Sequence, residues 1–469
     1  MIAVRIALMA VLGSIAGPSA FAGDDDIDRY LTREMRQLHL PGLSLAIVRD
    51  GRVIKARGYG LANLELKAPA TKSTVYEIGS NTKQFTAAAV LLLVEQGKLA
   101  LDDSVRKFFP EAPASWQRIT VRHLLSHTSG IQNHVAVPGY LDVFRTNLSF
   151  ETKPGRDEIL RMFFALPLEF EPGETWSYDN TGYYLLGVIV ERVSGQTYWQ
   201  FLEKSIFRPL GMQATRSTDP RPLVPNRASG YEWVNGGYEN RPVLGPSVAF
   251  SAGALLSTVE DLARWDSALH SNRILSQASR ELMWTPVAAS DGTPAALDYG
   301  FGWFVERYRR QRLVQHSGGT PGFSSAIYRY RDEKLTIILL SNHGDRAIDH
   351  LAIEIAGRCV PALRRPVGAT DPDPAATARV REALTSLLNG SPVPELFTRP
   401  MRVYLRTATA KAIWHWYSEQ GKLVSMAYSD SEDSGGHRIL RYKVELDSGS
   451  RWVSARLAGD GSIAQIYWW

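Results

Sequence analysis

The sequence predicts an α+β protein: an antiparallel sheet flanked by helices, with an all-helical region attached, followed by a small C-terminal α+β domain. Three observations predict it. Paired strand patterns stand at both ends of the first three quarters of the chain. Apolar helical patterns fill the middle between them. A stretch rich in Pro, Asp and Ala, Pro366 to Pro374, then separates off a last segment with its own pattern. Strand runs and helix runs that segregate in this way favour α+β architecture over alternating βαβ units.

The elements follow in order. Residues 24–39 read as a short amphipathic helix ended by Pro41-Gly42. Leu43 to Val48 and Val53 to Tyr59 read as strands around Asp50-Gly51, a hairpin signal because both turn positions need positive φ. Thr82 to Gln96 is helical, closed by Gly97, and its Ala, Leu and Val content predicts burial on most sides. Thr181 to Val193 is a second buried helix, stopped by Ser194-Gly195. Phe323 to Tyr330 and Leu335 to Asn342 read as strands joined at Asp332-Glu333. After the linker, Arg379 to Leu388 is a short helix. From Arg402 to Trp469 the pattern is strand-like, with turns at Glu419-Gln420-Gly421, Ser434-Gly435-Gly436, Asp447-Ser448-Gly449 and Asp460-Gly461. No internal repeat is present.

Composition excludes several classes. The chain of 469 residues is 44% hydrophobic and 22% charged, the balance of a globular protein. Its formal charge of +5 comes without a basic block interleaved with aromatics, so nucleic acid is not expected as a partner. The N-terminus reads as an export signal over residues 1–22: Arg5, an apolar run from Ile6 to Ala16, and Ala20-Phe21-Ala22 as a small-x-small cleavage site. That run is too short to anchor in a bilayer, and no later segment reaches about eighteen apolar residues. The expected mature chain is exported, periplasmic or secreted, with no stable membrane span. Cys359 is the only cysteine, so no internal disulfide forms. It lies in the helical pattern Leu351 to Val360, where a buried structural thiol is expected.

Three polar stretches carry candidate chemistry. The first is Tyr76-Glu77-Ile78-Gly79-Ser80-Asn81-Thr82-Lys83. About two S-x-x-K matches are expected by chance in a chain of this size, and a second is present at Ser104-Val105-Arg106-Lys107. Context separates them. Ser80 stands at the mouth of a buried helix, where a lysine three positions on shares its face. The helix N-terminus and burial both disfavour a protonated amine there. Ser104 sits in a polar stretch that Pro110 closes, and reads as a solvated helix end. The second stretch is Trp176-Ser177-Tyr178-Asp179-Asn180, in which Tyr178 and Asn180 point the same way if the backbone between them is extended. Read alone, it is a polar turn capping the next helix. The third is His316-Ser317-Gly318-Gly319, beside a strand. Its small residues permit close backbone approach, and His316 can donate to an anion or a carbonyl. Alone, it reads as a Gly-rich turn with a surface histidine.

Together, Ser80-x-x-Lys83, Tyr178-x-Asn180 and His316-Ser317-Gly318 resemble the serine β-lactamase and penicillin-binding-protein superfamily, in the branch holding class C β-lactamases, DD-peptidases, D-aminopeptidases and family VIII esterases. Leu124-Leu125-Ser126-His127-Thr128-Ser129-Gly130 and Ser251-Ala252-Gly253-Ala254-Leu255-Leu256-Ser257-Thr258, with Asp261-Leu262-Ala263, are also similar to that branch. The resemblance covers residues 27–360 and implies a β-lactamase/transpeptidase-like fold. It implies Ser80 as the acylated nucleophile, with Lys83 taking part in its activation and either Lys83 or Tyr178 as the base in acylation. Tyr178 would act as proton relay, and Asn180 would orient Lys83 and bind a substrate amide. The N–H groups of Ser80 and Gly319 would form the oxyanion hole, and His316 and Gly318 would contact substrate. No metal and no cofactor are implied. Class C enzymes carry Lys-Thr-Gly at the third motif. The histidine here points towards peptidase and aminopeptidase members, because lysine's fixed charge suits a β-lactam carboxylate better.

The expected organisation is a signal (1–22), a β-lactamase-related hydrolase domain (23–363), a linker (364–378) and an accessory domain (379–469). The last resembles cone-shaped extensions similar to nuclear-transport-factor-2 folds. Its Trp414, Trp416, Trp452, Trp468 and Trp469 either fill a small core or line a ligand face. The expected function is hydrolysis of D-amino-acid peptides or small esters through an acyl-enzyme, on a small-molecule or peptide substrate, with cell-wall peptide as one candidate. A weak β-lactamase and a non-turnover receptor for β-lactam or cell-wall fragments are the competing readings.

Overall fold

The computed structural model describes residues 24–137, 155–241, 245–290, 297–344, 348–366, 368–419, 421–434 and 436–468. The predicted signal lies outside them. The first helix, α1, is Asp24–Gln37. Strands β1 (Gly42–Arg49) and β2 (Arg52–Asn63) form the expected hairpin, with Arg49 opposite Arg52. Asp50 and Gly51 both take positive φ, 51° and 73°, which is what a two-residue turn matched to strand twist demands.

These strands belong to a seven-stranded sheet. The others are β3 (Ala68–Pro69), β4 (Phe304–Tyr308), β5 (Gln311–Thr320), β6 (Phe323–Tyr330) and β7 (Leu335–Ser341). The spatial order is β3-β2-β1-β7-β6-β5-β4, and every pairing is antiparallel. The two chain ends of the domain therefore meet at the β1–β7 pair, with Leu45 opposite Leu339. The central strands are apolar on both faces, and successive residues serve two cores. Leu43, Leu45, Ile47, Ile337 and Leu339 pack on one side with Ile27 and Leu31 of α1 and with the helix Ile348–Cys359. Ala46, Val48, Ile338 and Leu340 face the other core, which holds the helices Thr82–Glu95 (α2) and Asn180–Ser194 (α3). Period-two alternation thus divides one hydrophobic run between two layers.

Helix α2 is buried along most of its length, as its composition predicted. Helix α3 ends at Gly195, whose φ of 69° supplies the left-handed cap. The two helices are joined through the turn Phe250–Ala252. Thr86 Oγ1 donates to Ser251 O (2.6 Å), and Ser251 Oγ donates to Tyr183 O (2.8 Å). Gly187 lets α3 approach this turn, since a Cβ there would lie 2.1 Å from Ser251 Oγ.

The C-terminal part departs from its predicted pattern. The helix read as Arg379–Leu388 begins at Pro374, because Asp373 caps it by accepting from Ala376 N (3.0 Å) and Pro suits the first turn. Residues 402–418, expected to be strand-like, are helical: Arg399–Tyr404 and Ala408–Ser418. Thr407 caps the second by accepting from Ala410 N (3.1 Å), and Ala408, Ala410 and Ala412 outweigh the aromatic residues that suggested a strand. Four strands follow as an antiparallel meander: Leu423–Ser434, His437–Leu446, Gly449–Leu457 and Ile463–Trp468. They turn where predicted. Trp414 and Trp468 are buried in this domain, Trp452 lies under Arg365 (4.4 Å), and Trp416 is exposed. Trp469 lies outside the described residues.

Candidate active site

Ser80 sits in the tight turn Gly79–Asn81, which runs directly into α2. The turn is tied to the sheet by a chain of buried hydrogen bonds. Trp265 Nε1 donates to Gln84 Oε1 (3.1 Å), Gln84 Nε2 to Asn81 Oδ1 (2.6 Å), Asn81 Nδ2 to Ser325 Oγ (2.7 Å), and Ser325 Oγ to Ile78 O (2.8 Å). The serine is therefore presented from a rigid support, partly exposed, while its neighbours are buried.

Lys83 lies in the first turn of α2 and is fully buried. Its Nζ stands 3.2 Å from Ser80 Oγ, 2.7 Å from Asn180 Oδ1 and 2.7 Å from Ala252 O. Burial holds its pKa well below the usual lysine value, against the opposing charge of Asp179. A neutral amine has two N–H donors and one lone pair. Asn180 Oδ1 and Ala252 O can only accept, so they take both donors, and the lone pair is left for the Ser80 hydroxyl. In this arrangement the lone pair can accept from the Ser80 hydroxyl at 3.2 Å.

Tyr178 and Asn180 flank Asp179, whose backbone is extended (φ −136°, ψ 113°), so the two side chains do point the same way. The Tyr178 ring lies under Lys83 Nζ, 4.7 Å from ring centre to nitrogen. Asp179 caps α3 by accepting from Thr181 N (2.6 Å) and Gly182 N (2.9 Å), and burial raises its pKa to about 7. Asn180 turns Oδ1 to Lys83 and its Nδ2 to Asn133 Oδ1 (3.2 Å), which also receives Asn180 N (3.2 Å). The structure brings Asn180 to Lys83.

The third motif is strand, not turn: it lies within β5. Alternation along the strand decides which residues face outward. Gly319 is exposed and Ser317 partly so, while His316 and Gly318 are buried. His316 is therefore not placed as a surface donor to substrate. Its Nδ1 meets Ser317 O (2.6 Å), an acceptor, so Nδ1 carries the proton and Nε2 accepts from the Tyr299 hydroxyl (3.0 Å). Burial lowers its pKa to about 3 and keeps the ring neutral. Gly318 is likewise turned inward. A Cβ there would lie 2.1 Å from Ile78 O and 2.9 Å from Ser80 N. A Cβ on Gly79, whose φ is 49°, would lie 2.8 Å from Gly319 N. The β5 backbone thus passes against the serine turn, with Gly318 beside Ser80 N and Gly319 N beside Gly79.

The second S-x-x-K is elsewhere in every respect. Ser104 caps a short turn by accepting from Arg106 N (3.3 Å), and exposed Lys107 pairs with Asp103 (2.9 Å). Cys359 is buried and its thiol is pushed up to about 12, the inert state expected of it. Several residues of the site had no role in the sequence reading. Asn133 and Tyr299 carried no local signal. The carbonyl of Ala252 and the ring of His127 fall in stretches noted only for their likeness. His127 packs 4.5 Å from the Tyr178 ring and 4.6 Å from Tyr299, inside an aromatic wall with Trp176 and Phe304. Among the described residues no group of three His, Cys, Asp or Glu side chains could hold a metal ion, and no helix is long and apolar enough to cross a membrane.

A serine–lysine pair at a helix mouth, a Tyr-x-Asn turn and a glycine-bearing strand of an antiparallel sheet define a class, and comparison with known proteins agrees. The family model described as Beta-lactamase matches residues 27–357. The chain belongs to that family, within the serine β-lactamase and penicillin-binding-protein superfamily. It is similar to Penicillin-binding protein 4* of Bacillus subtilis (strain 168), 36% identical over 311 residues, covering 62% of this chain and 66% of that protein. It is also similar to Protein flp of Staphylococcus aureus (strain COL), 30% identical over 347 residues, covering 70% of this chain and 66% of that protein. The chain thus spans just under two thirds of the length of these curated relatives. Among solved structures, the octameric penicillin-binding protein homologue from Pyrococcus abyssi shares the fold over 93% of this chain and 96% of that one (TM-score 0.64, 24% identity). The D-amino acid amidase from Ochrobactrum anthropi SV3, complexed with D-phenylalanine, covers 72% of this chain and 98% of its own (TM-score 0.61, 26% identity).

Proposed function

We propose that this protein is an exported serine hydrolase that forms an acyl-enzyme on Ser80, with D-amino-acid peptides or amides, or small esters, as acyl donors. The observation that carries the reading is the three-way environment of Lys83, in which two acceptor-only partners leave the amine lone pair for Ser80. Lys83 takes the hydroxyl proton as Ser80 Oγ attacks the acyl carbonyl. The developing oxyanion sits between the N–H groups of Ser80 and Gly319, donors whose loss typically costs about 3 kcal/mol. Tyr178 passes the proton on to the leaving group, and water then releases the acyl group by the reverse path.

His316, neutral and internally bonded, supports the aromatic wall, while Ser317 and Gly319 on the exposed side of β5 meet the substrate. The buried histidine offers no fixed positive charge, which favours peptide, amide and ester donors over β-lactams. The likeness to a D-amino acid amidase favours D-configured donors. A weak β-lactamase acting through the same serine is the second reading, favoured by membership of the Beta-lactamase family. Export rests on the signal pattern of residues 1–22.

The test is intact-mass measurement at short times after mixing with a p-nitrophenyl ester, a D-Ala-D-Ala peptide and a chromogenic cephalosporin, beside Ser80→Ala. The expected result is a mass increase on Ser80, absent in the variant, with fastest turnover of the ester or the peptide. A Ser80→Ala variant of full activity would overturn the assignment. Stable acylation by the cephalosporin without release would point to the receptor reading instead.

A further inference from the structure

Tyr178 lies on a strip of chain, residues 175–179, that is held from two sides. On one side stands His127. Its main-chain oxygen accepts from Ser177 N (3.0 Å), and its ring Nδ1 accepts from Asp179 N (3.1 Å). One residue thus grips the amides on both sides of Tyr178. His127 is buried and takes a φ of 60°, in the left-handed region that few non-glycine residues adopt and that histidine enters more readily than most. Such outliers persist where the surroundings over-determine them. Because Nδ1 receives an N–H, it must be unprotonated.

On the other side stands the C-terminal domain. Thr175 Oγ1 donates to Pro400 O (2.8 Å), Ser177 Oγ donates to Thr407 Oγ1 (3.3 Å), and Thr409 Oγ1 donates to the carbonyl of Tyr178 (3.3 Å). Nearby, Ala408 N donates to Glu169 Oε1 (2.5 Å). Tyr404 packs 5.9 Å from Trp176. Phe304, which stacks parallel to the Tyr178 ring, is itself backed by Tyr467. Thr407 and Thr409 are buried in this contact.

We infer that the segment 400–409 of the C-terminal domain is a working part of the active centre: with His127 it clamps the main chain around Tyr178 and sets where the phenol stands relative to Lys83. The inference rests on the acyl-enzyme reading of Tyr178. His127 and Thr409 are positioning residues, acting through Tyr178 and not on the substrate. The physical argument is one of freedom. Tyr178 precedes α3 and has no helix or sheet of its own to hold it, and a displacement of about 1 Å at a reacting group can cost about a hundredfold in rate.

The test uses the full chain and four variants: Thr409→Val, Thr409→Ser, His127→Phe and His127→Asn. The readout is the rate constant for acylation of Ser80 by p-nitrophenyl acetate, with the half-saturating ester concentration measured separately. Losing the Thr409 hydroxyl should slow acylation about fivefold, one neutral hydrogen bond's worth. Half-saturation should stay unchanged, and Thr409→Ser should restore the rate. His127→Phe should slow it about a hundredfold. His127→Asn replaces the acceptor and tolerates positive φ, so it should recover most of that loss. The clamp is overturned if Thr409→Val acylates at the wild-type rate, if serine fails to rescue it, or if the loss falls on half-saturation alone. If wild-type Ser80 is never acylated, the acyl-enzyme reading is overturned and this inference with it.

Discussion

Replacing Lys83 with methionine isolates the amine, because methionine keeps an unbranched stem and removes only the base. In the structure Nζ is 3.2 Å from Ser80 Oγ. Its other partners, an amide and a main-chain carbonyl, cannot take a proton at neutral pH. Neither neighbouring imidazole is spare: His127 Nδ1 receives Asp179 N, and both nitrogens of His316 are bonded internally. General-base catalysis supplies about 10²–10⁴ in rate, so Lys83→Met should lose about 3–5 kcal/mol of transition-state stabilisation. The fold should survive. Two carbonyl oxygens lose a partner at about 1–3 kcal/mol each, but the cost of burying an ionisable amine disappears. The assay is stopped-flow acylation by p-nitrophenyl acetate with intact mass to locate the adduct. The wild-type rate should rise with pH through the folded-state pKa of Lys83 and level off well below 10.5, because the neutral amine is the reactive form. Stability follows with the same sign. Between the folded and unfolded pKa values the unfolded chain binds the extra proton, so this site's contribution to stability rises with pH and its cost is fully present below the folded value. Lys83→Met should remove both limbs. A variant that acylates within tenfold of wild type, or a wild-type rate limb centred near the ordinary lysine value, would refute the reasoning.

Asn133→Leu removes the acceptor that holds the Asn180 amide, and should lower kcat about fivefold, with little change in KM, in steady-state ester hydrolysis. Gly318→Ala forces a methyl against Ile78 O and Ser80 N, both backbone, and should cost about 3 kcal/mol or more in denaturant unfolding and abolish acylation. Ser104→Ala loses a cap and a hydrogen bond to Gln117 O (3.0 Å), so it should cost about 1–2 kcal/mol in the same unfolding experiment and leave ester turnover at the wild-type rate.

What was legible in the sequence is what depends on near neighbours. The Asp50-Gly51 hairpin, the left-handed stop at Gly195 and the turns of the C-terminal meander are set by the conformational freedom of a few adjacent residues, and each stands where it was read. Ser80 and Lys83 were legible for the same reason, being three positions apart at a helix mouth. The segment 402–418 was misread because Trp414, Trp416 and Tyr417 fit either a strand or a helix, and the cap at Thr407 carried the decision. The setting of His316 was not legible because a Gly-rich run looks like a turn until its partner strand is known. Once Ser317 pairs with Ala326, the alternation of the strand turns the histidine inward.

The sequence by itself determined the three motifs, their order, the family they belong to and the helices and strands that carry them. Only the tertiary structure decided what surrounds those residues. The state of Lys83 depends on Asn180 and Ala252, 97 and 169 positions away. The setting of Tyr178 depends on His127 and on Thr409, 231 positions away. Desolvation, a lone pair left unclaimed and a loop held on both sides are properties of surroundings. Surroundings are assembled by contacts between distant segments, and no local pattern of apolar and polar residues encodes them.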